Sequence, residues 1–448
     1  MAVDPHQHRI EARLGRFDAA MVVVSLVIGI GIFRTPALVA QHAGSVGLFF
    51  AVWALGGMIA LVGALTFAEI GSRRPGAGGY YRVVADLYGP RLAFMLNWAQ
   101  ALMQGAGAAG VAFIGAEYLV PLLPAIGGAR FEPLVVALVT MGVLLALNFA
   151  GIRTGAWTQN LLSLLKILLI AGLALAALVL ASQTAAPPPS PTRAPGALVA
   201  AMIPVFYAYG GYHLTMNLGA DIRDARRNLP IAITAGMLVV VALYLVINAG
   251  YVFALGLDAV ADSSLVAAAL ARATLGPAGE TFVSVAIFLS AAGFVNATVL
   301  QMPRTFYAMA EDGVLPRAFM RIDPHTQVQR VGLAFFAVTM LVPAFLLASF
   351  EQLLSYVLFT DMLALTVVAS TVFVLRWRAR GAAGEGEVFR MPLYPVLPAL
   401  YIVCLVAVAL EILASETRIA LVGLLIFLTG APLFELGRSM RQRNKTNV

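Results

Sequence analysis

The chain contains few charged residues and almost no cysteine. Only 11% of its 448 residues are charged and 61% are hydrophobic, whereas soluble proteins have about 25% charged and roughly 45–50% apolar residues. This composition excludes a soluble globular protein and places the chain in a lipid bilayer. The single cysteine, Cys404, lies in an apolar stretch and cannot form an internal disulfide. No disulfide-linked subunit is therefore predicted.

Several functional motifs are also missing. The five histidines have no cysteine or carboxylate at metal-ligand spacing, so no metal site is predicted. No glycine-rich loop precedes Lys-Ser or Lys-Thr, which argues against ATP-driven transport and leaves no cofactor to expect. The apolar stretches offer no nucleophile–base set or paired catalytic carboxylates, so a membrane-embedded enzyme is the weaker alternative.

Apolar stretches long enough to cross a membrane recur along the chain. A spanning helix needs about 20 apolar residues, and twelve stretches meet this requirement. The predicted fold class is thus an all-α integral membrane protein with twelve transmembrane helices. The stretches begin near Ala19, Gly44, Leu92, Pro133, Trp157, Gly196, Pro230, Phe282, Val331, Gln352, Pro395 and Ile419.

Basic residues fall mostly on one side of this twelve-span arrangement. Cytoplasmic loops collect Lys and Arg, so the skew predicts cytoplasmic N- and C-termini and a plasma (inner) membrane location. The net charge of +7 is explained by this topology and by contact with anionic membrane lipid. It does not indicate a nucleic-acid partner.

The spans divide into two similar units. Spans one to five and six to ten each begin with a glycine-interrupted stretch, and an odd number of spans inverts the second unit relative to the first. The predicted segments are a cytoplasmic N-terminal segment (1–18), a first repeat (19–182), a Pro-rich external connector (183–195), a second repeat (196–380), a loop with helices eleven and twelve (381–437) and a basic tail (438–448). The last two helices have no predicted role beyond packing or lipid contact.

The first interrupted stretch contains Gly29, Ile30, Gly31 and Ile32. A helix breaks at bilayer depth only where protein, water or solute takes over its backbone hydrogen bonds. Glycine permits such unwinding, and the half-helix after Phe33 would present free N–H groups to a carboxylate. Small residues also serve close helix packing, which is the alternative reading of these glycines.

The second interrupted stretch is rich in aromatic residues and glycine. Its unwound carbonyls suit a cationic amine, and Tyr207 is the candidate lid over a bound solute. An ordinary aromatic packing surface is the alternative. His213 near mid-membrane is a candidate for proton coupling or for structural hydrogen bonding. The predicted binding residues of this stretch are Phe206, Tyr207, Ala208, Tyr209, Gly210 and His213.

Lys166 is one of only two lysines and lies well inside the predicted fifth span. A charge at this depth costs about 2.5–3.5 kcal/mol on insertion scales, and such residues usually face the bundle interior. Its ammonium can take the place of a bound Na⁺ by holding the carbonyls of the unwound first helix.

Other polar residues have weaker functional indications. Gln104 in the glycine-rich third span is a candidate for a side-chain pocket, although its small neighbours also suit tight packing. Glu69 and Glu117 are expected near span ends within reach of water. Asp361 and Glu411 are expected at the membrane interface.

The order and spacing of several motifs identify a family resemblance. The chain resembles the amino acid–polyamine–organocation superfamily, most of all the L-type amino acid transporter branch and its prokaryotic relatives. The similarity runs nearly end to end. The motifs are GIGIF (29–33), AEIG (68–71), PGAGGY (75–80), AEYL (116–119), YAYGGY (207–212), RNLP (227–230), YAMAEDG (307–313) and PLYPVLP (392–398).

The resemblance implies a five-plus-five inverted-repeat (LeuT-like) fold in which helices one and six are broken and two C-terminal helices are appended. In that family the first break binds the substrate carboxylate, the sixth-helix break binds its amine, and Tyr207 would match the aromatic gate. Lys166 matches the fifth-helix lysine of sodium-independent members.

The chain also departs from the family pattern. Ile30 replaces a common serine or alanine, and Tyr212 with His213 replaces a usual Trp-Asn pair, so the substrate identity stays open. Gln104 stands about where cationic amino acid carriers have an acidic residue, which favours a neutral substrate.

The predicted function is sodium-independent transport of neutral amino acids by alternating access, as an exchanger or facilitator. The alternative is a proton-coupled symporter of amino acids or related amines, with His213 or Lys166 as the titrating group. A channel is less consistent with two broken helices, because these indicate an occluded site.

Overall fold

The computed structural model describes residues 10–124, 131–183, 198–263, 265–346, 350–379 and 388–446. Within these ranges the regular structure is helical, apart from two isolated backbone bridges that join Leu14 to Ile222 and Ala77 to Leu218. The predicted all-α membrane fold class is confirmed.

Sixteen α-helices form the described part of the chain. Short 3₁₀ helices cover Val120–Leu122, Tyr212–Asn217 and Arg317–Met320. The α-helices are α1 (Arg16–Val27), α2 (Gly31–Ala43), α3 (Val46–Arg73), α4 (Gly79–Tyr88), α5 (Pro90–Leu119), α6 (Pro133–Ala150), α7 (Ile152–Gln183), α8 (Leu198–Ala208), α9 (Ala225–Leu255), α10 (Leu257–Asp262), α11 (Val266–Leu275), α12 (Pro277–Glu311), α13 (Arg330–Leu346), α14 (Phe350–Ala379), α15 (Val396–Ser415) and α16 (Thr417–Thr446).

Nine of the described helices are long and apolar enough to cross a membrane. A tenth candidate is the pair α1 and α2, which bend by 43° relative to each other at the break between them. Each of the twelve predicted spans coincides with a helix, but α8 and the described part of α13 are shorter than the others. The count of twelve spans and the inverted repeat therefore remain predictions.

The outer surface of the bundle is apolar, as a lipid-facing surface requires. Val139, Leu175, Leu410 and Leu425 lie on four different helices, and their exposed fractions run from 59% to 65%. In water such a surface would be an aggregation hazard. In a bilayer it contacts acyl chains.

Three short helices between the spans were not expected from the sequence. These are α4, α10 and α11, with ten, six and ten residues. Each is too short to give the long apolar signal that identifies a spanning helix. Most of the predicted connector (183–195) lies outside the described residues, and the predicted segment boundaries stay predictions.

The helix α12 runs through the centre of the bundle and positions the site. Among the candidate spans it has the largest buried share, 78% of its most apolar window. It packs against α1, α5 and α7. Because its neighbours include both the first broken helix and the helix that carries Lys166, α12 forms the inner wall behind the first break.

Candidate functional site

The first break separates α1 from α2. Helix α1 ends at Val27, Ile28 leaves the helical region with φ −78° and ψ 83°, and α2 begins at Gly31. The second half-helix therefore starts two residues before Phe33, which is earlier than expected from the sequence. Since the first N–H groups of a helix have no acceptor within it, those at the start of α2 are available to a ligand.

Side chains from two other helices hold the carbonyls of this break. The Lys166 ammonium donates to the Ile28 carbonyl and to Ser25 Oγ, the latter at 3.1 Å. The Ser290 hydroxyl donates to the Gly29 carbonyl at 3.0 Å. Lys166 is only 1% exposed. Its ammonium thus occupies the space beside the Ile28 carbonyl at the break.

The second break follows α8 and depends on glycine. Helix α8 ends at Ala208, and Gly211 adopts φ 103° before the 3₁₀ helix Tyr212–Asn217 begins. A Cβ atom added at Gly211 would lie 2.4 Å from the Leu26 carbonyl oxygen. Both the left-handed backbone and this close approach exclude other residues.

The two breaks are in direct contact. A Cβ atom added at Gly31 would lie 3.2 Å from Ala208 Cα and 3.6 Å from the Tyr207 ring. The Tyr244 hydroxyl on α9 lies 3.2 Å from the Val27 carbonyl and 3.1 Å from the Ala208 carbonyl. Tyr244 therefore ties the end of α1 to the end of α8.

A cavity lies between the breaks, with an empty volume of about 1020 Å³ that includes open solvent at its mouth. Most of the predicted binding residues line it. They are Gly29, Gly31, Gln104, Phe206, Tyr207, Ala208, Tyr209 and Gly210.

The other predicted residues lie behind the cavity wall. Ile30 packs in a small apolar cluster with Val111, and the Ile32 carbonyl faces the Tyr251 hydroxyl at 3.5 Å. Lys166 contacts the back of the first break.

His213 is 3% exposed and sits among aromatic rings away from the cavity lining. Its ring centroid lies 5.6 Å from that of Phe67 and 6.0 Å from that of Tyr80. Its Nδ1 atom makes no hydrogen bond with the described residues. The structure therefore brings His213 near the second break without bringing it to the cavity.

The cavity also contains residues that the sequence analysis placed elsewhere. Asp361 on α14 lines it, so the expectation of an interfacial position for Asp361 is wrong. Tyr401 and Leu405 on α15 also line it, which corrects the expectation that this helix serves only for packing or lipid contact. The packing of the helices brings these residues to the cavity, and no local sequence motif predicts their position there.

Glu69 is fully buried at the end of α3, contrary to the expectation that water reaches it. Its carboxylate accepts hydrogen bonds from Arg73 at 2.8 Å and from Arg376 at 2.8 and 2.6 Å. The Met391 N–H donates to it at 2.8 Å. A buried charge needs such partners. The Glu69 carboxylate thereby joins three separate segments of the chain.

Arg304 and Asp221 form a second buried ion pair that the sequence analysis missed. The guanidinium contacts both carboxylate oxygens at 3.0 Å. The Asp221 carbonyl in turn accepts a hydrogen bond from the Leu14 N–H at 2.8 Å. The segment before α1 is thereby fixed to the chain that follows the second break.

Two broken helices whose free N–H and C=O ends meet at a cavity are characteristic of secondary transporters. The fold and the site thus define a membrane transporter rather than an enzyme. A family model described as amino acid permease matches residues 14–429. The chain belongs to this family of the amino acid–polyamine–organocation superfamily, as its motifs predicted.

Curated relatives align over nearly the whole chain. The serine/threonine exchanger SteT of Bacillus subtilis (strain 168) is 28% identical over 95% of this chain and 96% of its own length. The human Asc-type amino acid transporter 1 is 26% identical over 97% of this chain and 84% of its own. The human large neutral amino acids transporter small subunit 2 is 27% identical over 96% and 81%. The L-type resemblance is confirmed.

Proposed function

We propose that this protein carries neutral amino acids by alternating access, independently of sodium, and works as an exchanger. The observation that carries the proposal is the cavity bounded by the N-terminal end of α2 and the C-terminal end of α8. One helix end offers N–H donors and the other offers carbonyl acceptors. An amino acid has a carboxylate for the N–H donors and an ammonium for the carbonyl acceptors.

The backbone of the breaks would bind the two charged groups of the zwitterion. The N–H groups at Ile30, Gly31 and Ile32 lie at the positive end of the α2 dipole, which suits the carboxylate. The carbonyls of Phe206 and Tyr207 at the end of α8 suit the ammonium. Tyr207 lines the cavity beside Gly31 and would close over the bound substrate.

Sodium independence is proposed because Lys166 already holds the first break. Its ammonium donates to the Ile28 carbonyl and to Ser25, so these oxygens need no external cation. The relatives support the substrate class and the exchange mode, since one is a serine/threonine exchanger and another a large neutral amino acids transporter subunit.

Uptake of radiolabelled amino acids into proteoliposomes tests this proposal. We expect saturable uptake that is equal in sodium and choline buffers and that is accelerated by amino acid inside the vesicle. Clear sodium dependence would refute the role proposed for Lys166. Uptake driven by a pH gradient with no internal amino acid would instead establish proton coupling.

Two glycine variants show whether the transport uses this cavity. Gly31→Val places a branched side chain against Ala208 and Tyr207 and should abolish uptake. The matched control is Gly142→Val on α6, where an added Cβ meets nothing within 4 Å. Equal uptake by both variants would place the binding site elsewhere.

The membrane position of the chain is part of the proposal. We expect both termini in the cytoplasm of a plasma (inner) membrane protein that needs no disulfide-linked subunit. Cys404 is partly buried within α15, where it cannot reach an external partner. Single cysteines introduced at Asp258 and Arg317 in a Cys404→Ser background test the topology. An impermeant maleimide applied to whole cells should label the first and not the second.

A further inference from the structure

Asp361 differs from every other side chain around the cavity. It is the one charged residue among the described residues that line it, and the remaining lining is apolar, aromatic or glycine apart from Gln104. Asp361 lies on the same face of α14 as Leu358, Met362 and Leu365. A carboxylate placed among such residues needs a partner.

One carboxylate oxygen of Asp361 has no hydrogen-bond partner among the described residues. Its Oδ1 atom is shielded from solvent and accepts no hydrogen bond from the described residues. The Gln100 amide on α5 lies close enough to stabilise the Asp361 carboxylate, but neither of its polar atoms forms a hydrogen bond of normal geometry within the described part of the chain. An acceptor is thus left open at the cavity wall.

Asp361 reaches the cavity from α14, a helix that carries neither break. Helix α14 packs against α3, α5 and α15, whereas α2 and α8 pack against each other. If the breaks bind the carboxylate and the ammonium of an amino acid, the part of the substrate that remains for α14 is its side chain. Gln104, which lies one helical turn from Gln100 on α5, lines the same region.

We propose that Asp361 accepts a hydrogen bond from the substrate side chain, so that the carrier selects small amino acids with a hydroxyl group over aliphatic amino acids of the same shape. This inference rests on the proposed function, because it assumes that the breaks bind the zwitterion. A hydroxyl supplies the missing donor without bringing a second charge into an apolar cavity. An aliphatic isostere leaves the carboxylate unpaired.

Isosteric substrate pairs test the proposal directly. Threonine and valine have the same shape, as do serine and 2-aminobutyrate, and each pair exchanges a hydroxyl for a methyl group. Their competition against labelled alanine in proteoliposomes gives an inhibition constant for each. We expect the hydroxyl member to bind at least about tenfold more tightly in the wild type, because a site with an open acceptor discriminates against an analogue that lacks the donor.

Two variants of Asp361 separate hydrogen bonding from charge. Asp361→Leu removes the acceptor while keeping the branched shape of the side chain, and should bring the threonine-to-valine ratio to about one. Asp361→Asn retains a carbonyl acceptor and should keep most of the preference. The matched control is Glu411→Gln on α15, outside the cavity lining, which should leave the ratio unchanged.

Failure of the role proposed for Asp361 and failure of the proposed transport function give different results. Equal binding of threonine and valine by the wild type would overturn the role proposed for Asp361, and this measurement needs no variant. An unchanged threonine-to-valine ratio in Asp361→Leu would also overturn it. Tighter binding of ornithine than of threonine, lost in Asp361→Asn, would assign Asp361 to a cationic side chain and also overturn it. If no amino acid competes with alanine or enters the vesicles, the proposed function itself fails.

Discussion

The two helix breaks are held in different ways. Side chains from three helices fix the first break, namely Lys166 on α7, Ser290 on α12 and Tyr244 on α9. The backbone carbonyls of the second break receive one of these contacts, from Tyr244 to Ala208, and its Tyr209 and Tyr212 hydroxyls bond outward to the Trp53 carbonyl and the Tyr401 hydroxyl. The backbone of the first break is therefore held by side chains of three helices, whereas that of the second has one such support and is the part expected to move as a lid.

The two breaks are expected to have different roles in binding and transport. Preorganised donors bind a charged group most tightly when their positions are fixed before the ligand arrives. The first break meets that condition and is expected to bind the carboxylate in every state of the transport cycle. The second break is expected to move with Tyr207 when the cavity opens and closes.

The largest effect is expected at the second break from Gly211→Ala. The backbone there has φ 103°, and the new methyl group would lie 2.4 Å from the Leu26 carbonyl oxygen. Backbone strain alone costs about 1–3 kcal/mol, and the overlap adds to it. We expect little folded protein by size-exclusion chromatography in detergent and no uptake. Gly172→Ala on α7 is the control, since an added Cβ there meets nothing within 4 Å. Normal transport by Gly211→Ala would show that this glycine is not needed.

The next largest effect is expected at the first break from Lys166→Met. The change removes the donor to the Ile28 carbonyl and to Ser25. Hydrogen bonds to a charged group contribute about 1.5–3 kcal/mol each, so substrate affinity should fall by about 10- to 100-fold. Uptake kinetics in sodium-free buffer measure this.

A control variant and one possible outcome test the role of Lys166. Leu168→Met on the same helix is the control, because its side chain is 59% exposed on the outer surface and should tolerate the change. If Lys166→Met keeps the affinity of the wild type, the fixed state of the first break does not depend on this ammonium.

Tyr244→Phe should have a smaller effect that involves both breaks. It removes the hydroxyl between the Val27 and Ala208 carbonyls and keeps the ring. The loss of one neutral hydrogen bond is worth about 0.5–1.5 kcal/mol, which corresponds to an increase of about 2- to 10-fold in KM. Tyr251→Phe is the control, because its hydroxyl contacts one break only, at 3.5 Å from the Ile32 carbonyl. Equal KM values for the two variants would contradict the bridging role of Tyr244.

Local sequence signals predicted the breaks and the lysine. Glycines within apolar stretches identified both breaks, and Lys166 was conspicuous because a charge in a membrane span is costly. The twelve apolar stretches each gave a helix for the same reason, since length and hydropathy suffice to identify a membrane helix.

The remaining site residues depend on how the helices pack, and the sequence does not show this. Asp361 and Tyr401 were not predicted in the cavity because their helices reach it through contacts distant in the chain. Glu69 pairs with Arg376, which is 307 positions away, so its burial had no local signal. Gln104 lies in the cavity lining, whereas His213 lies close to the cavity but does not line it.

An effect no larger than that of Tyr244→Phe is expected from Ser290→Ala, and it tests whether the supports of the first break act together. The Ser290 hydroxyl lies 3.0 Å from the Gly29 carbonyl and 3.4 Å from the Ile28 carbonyl, to which Lys166 also donates. Alone, the change should reduce substrate binding by about 0.5–1.5 kcal/mol, and Ser284→Ala on the same helix is the control. A double-mutant cycle with Lys166→Met should be non-additive, because residues that share a partner are coupled. Strict additivity would mean that the two side chains support the break independently, and that its rigidity comes from the backbone of α1 and α2.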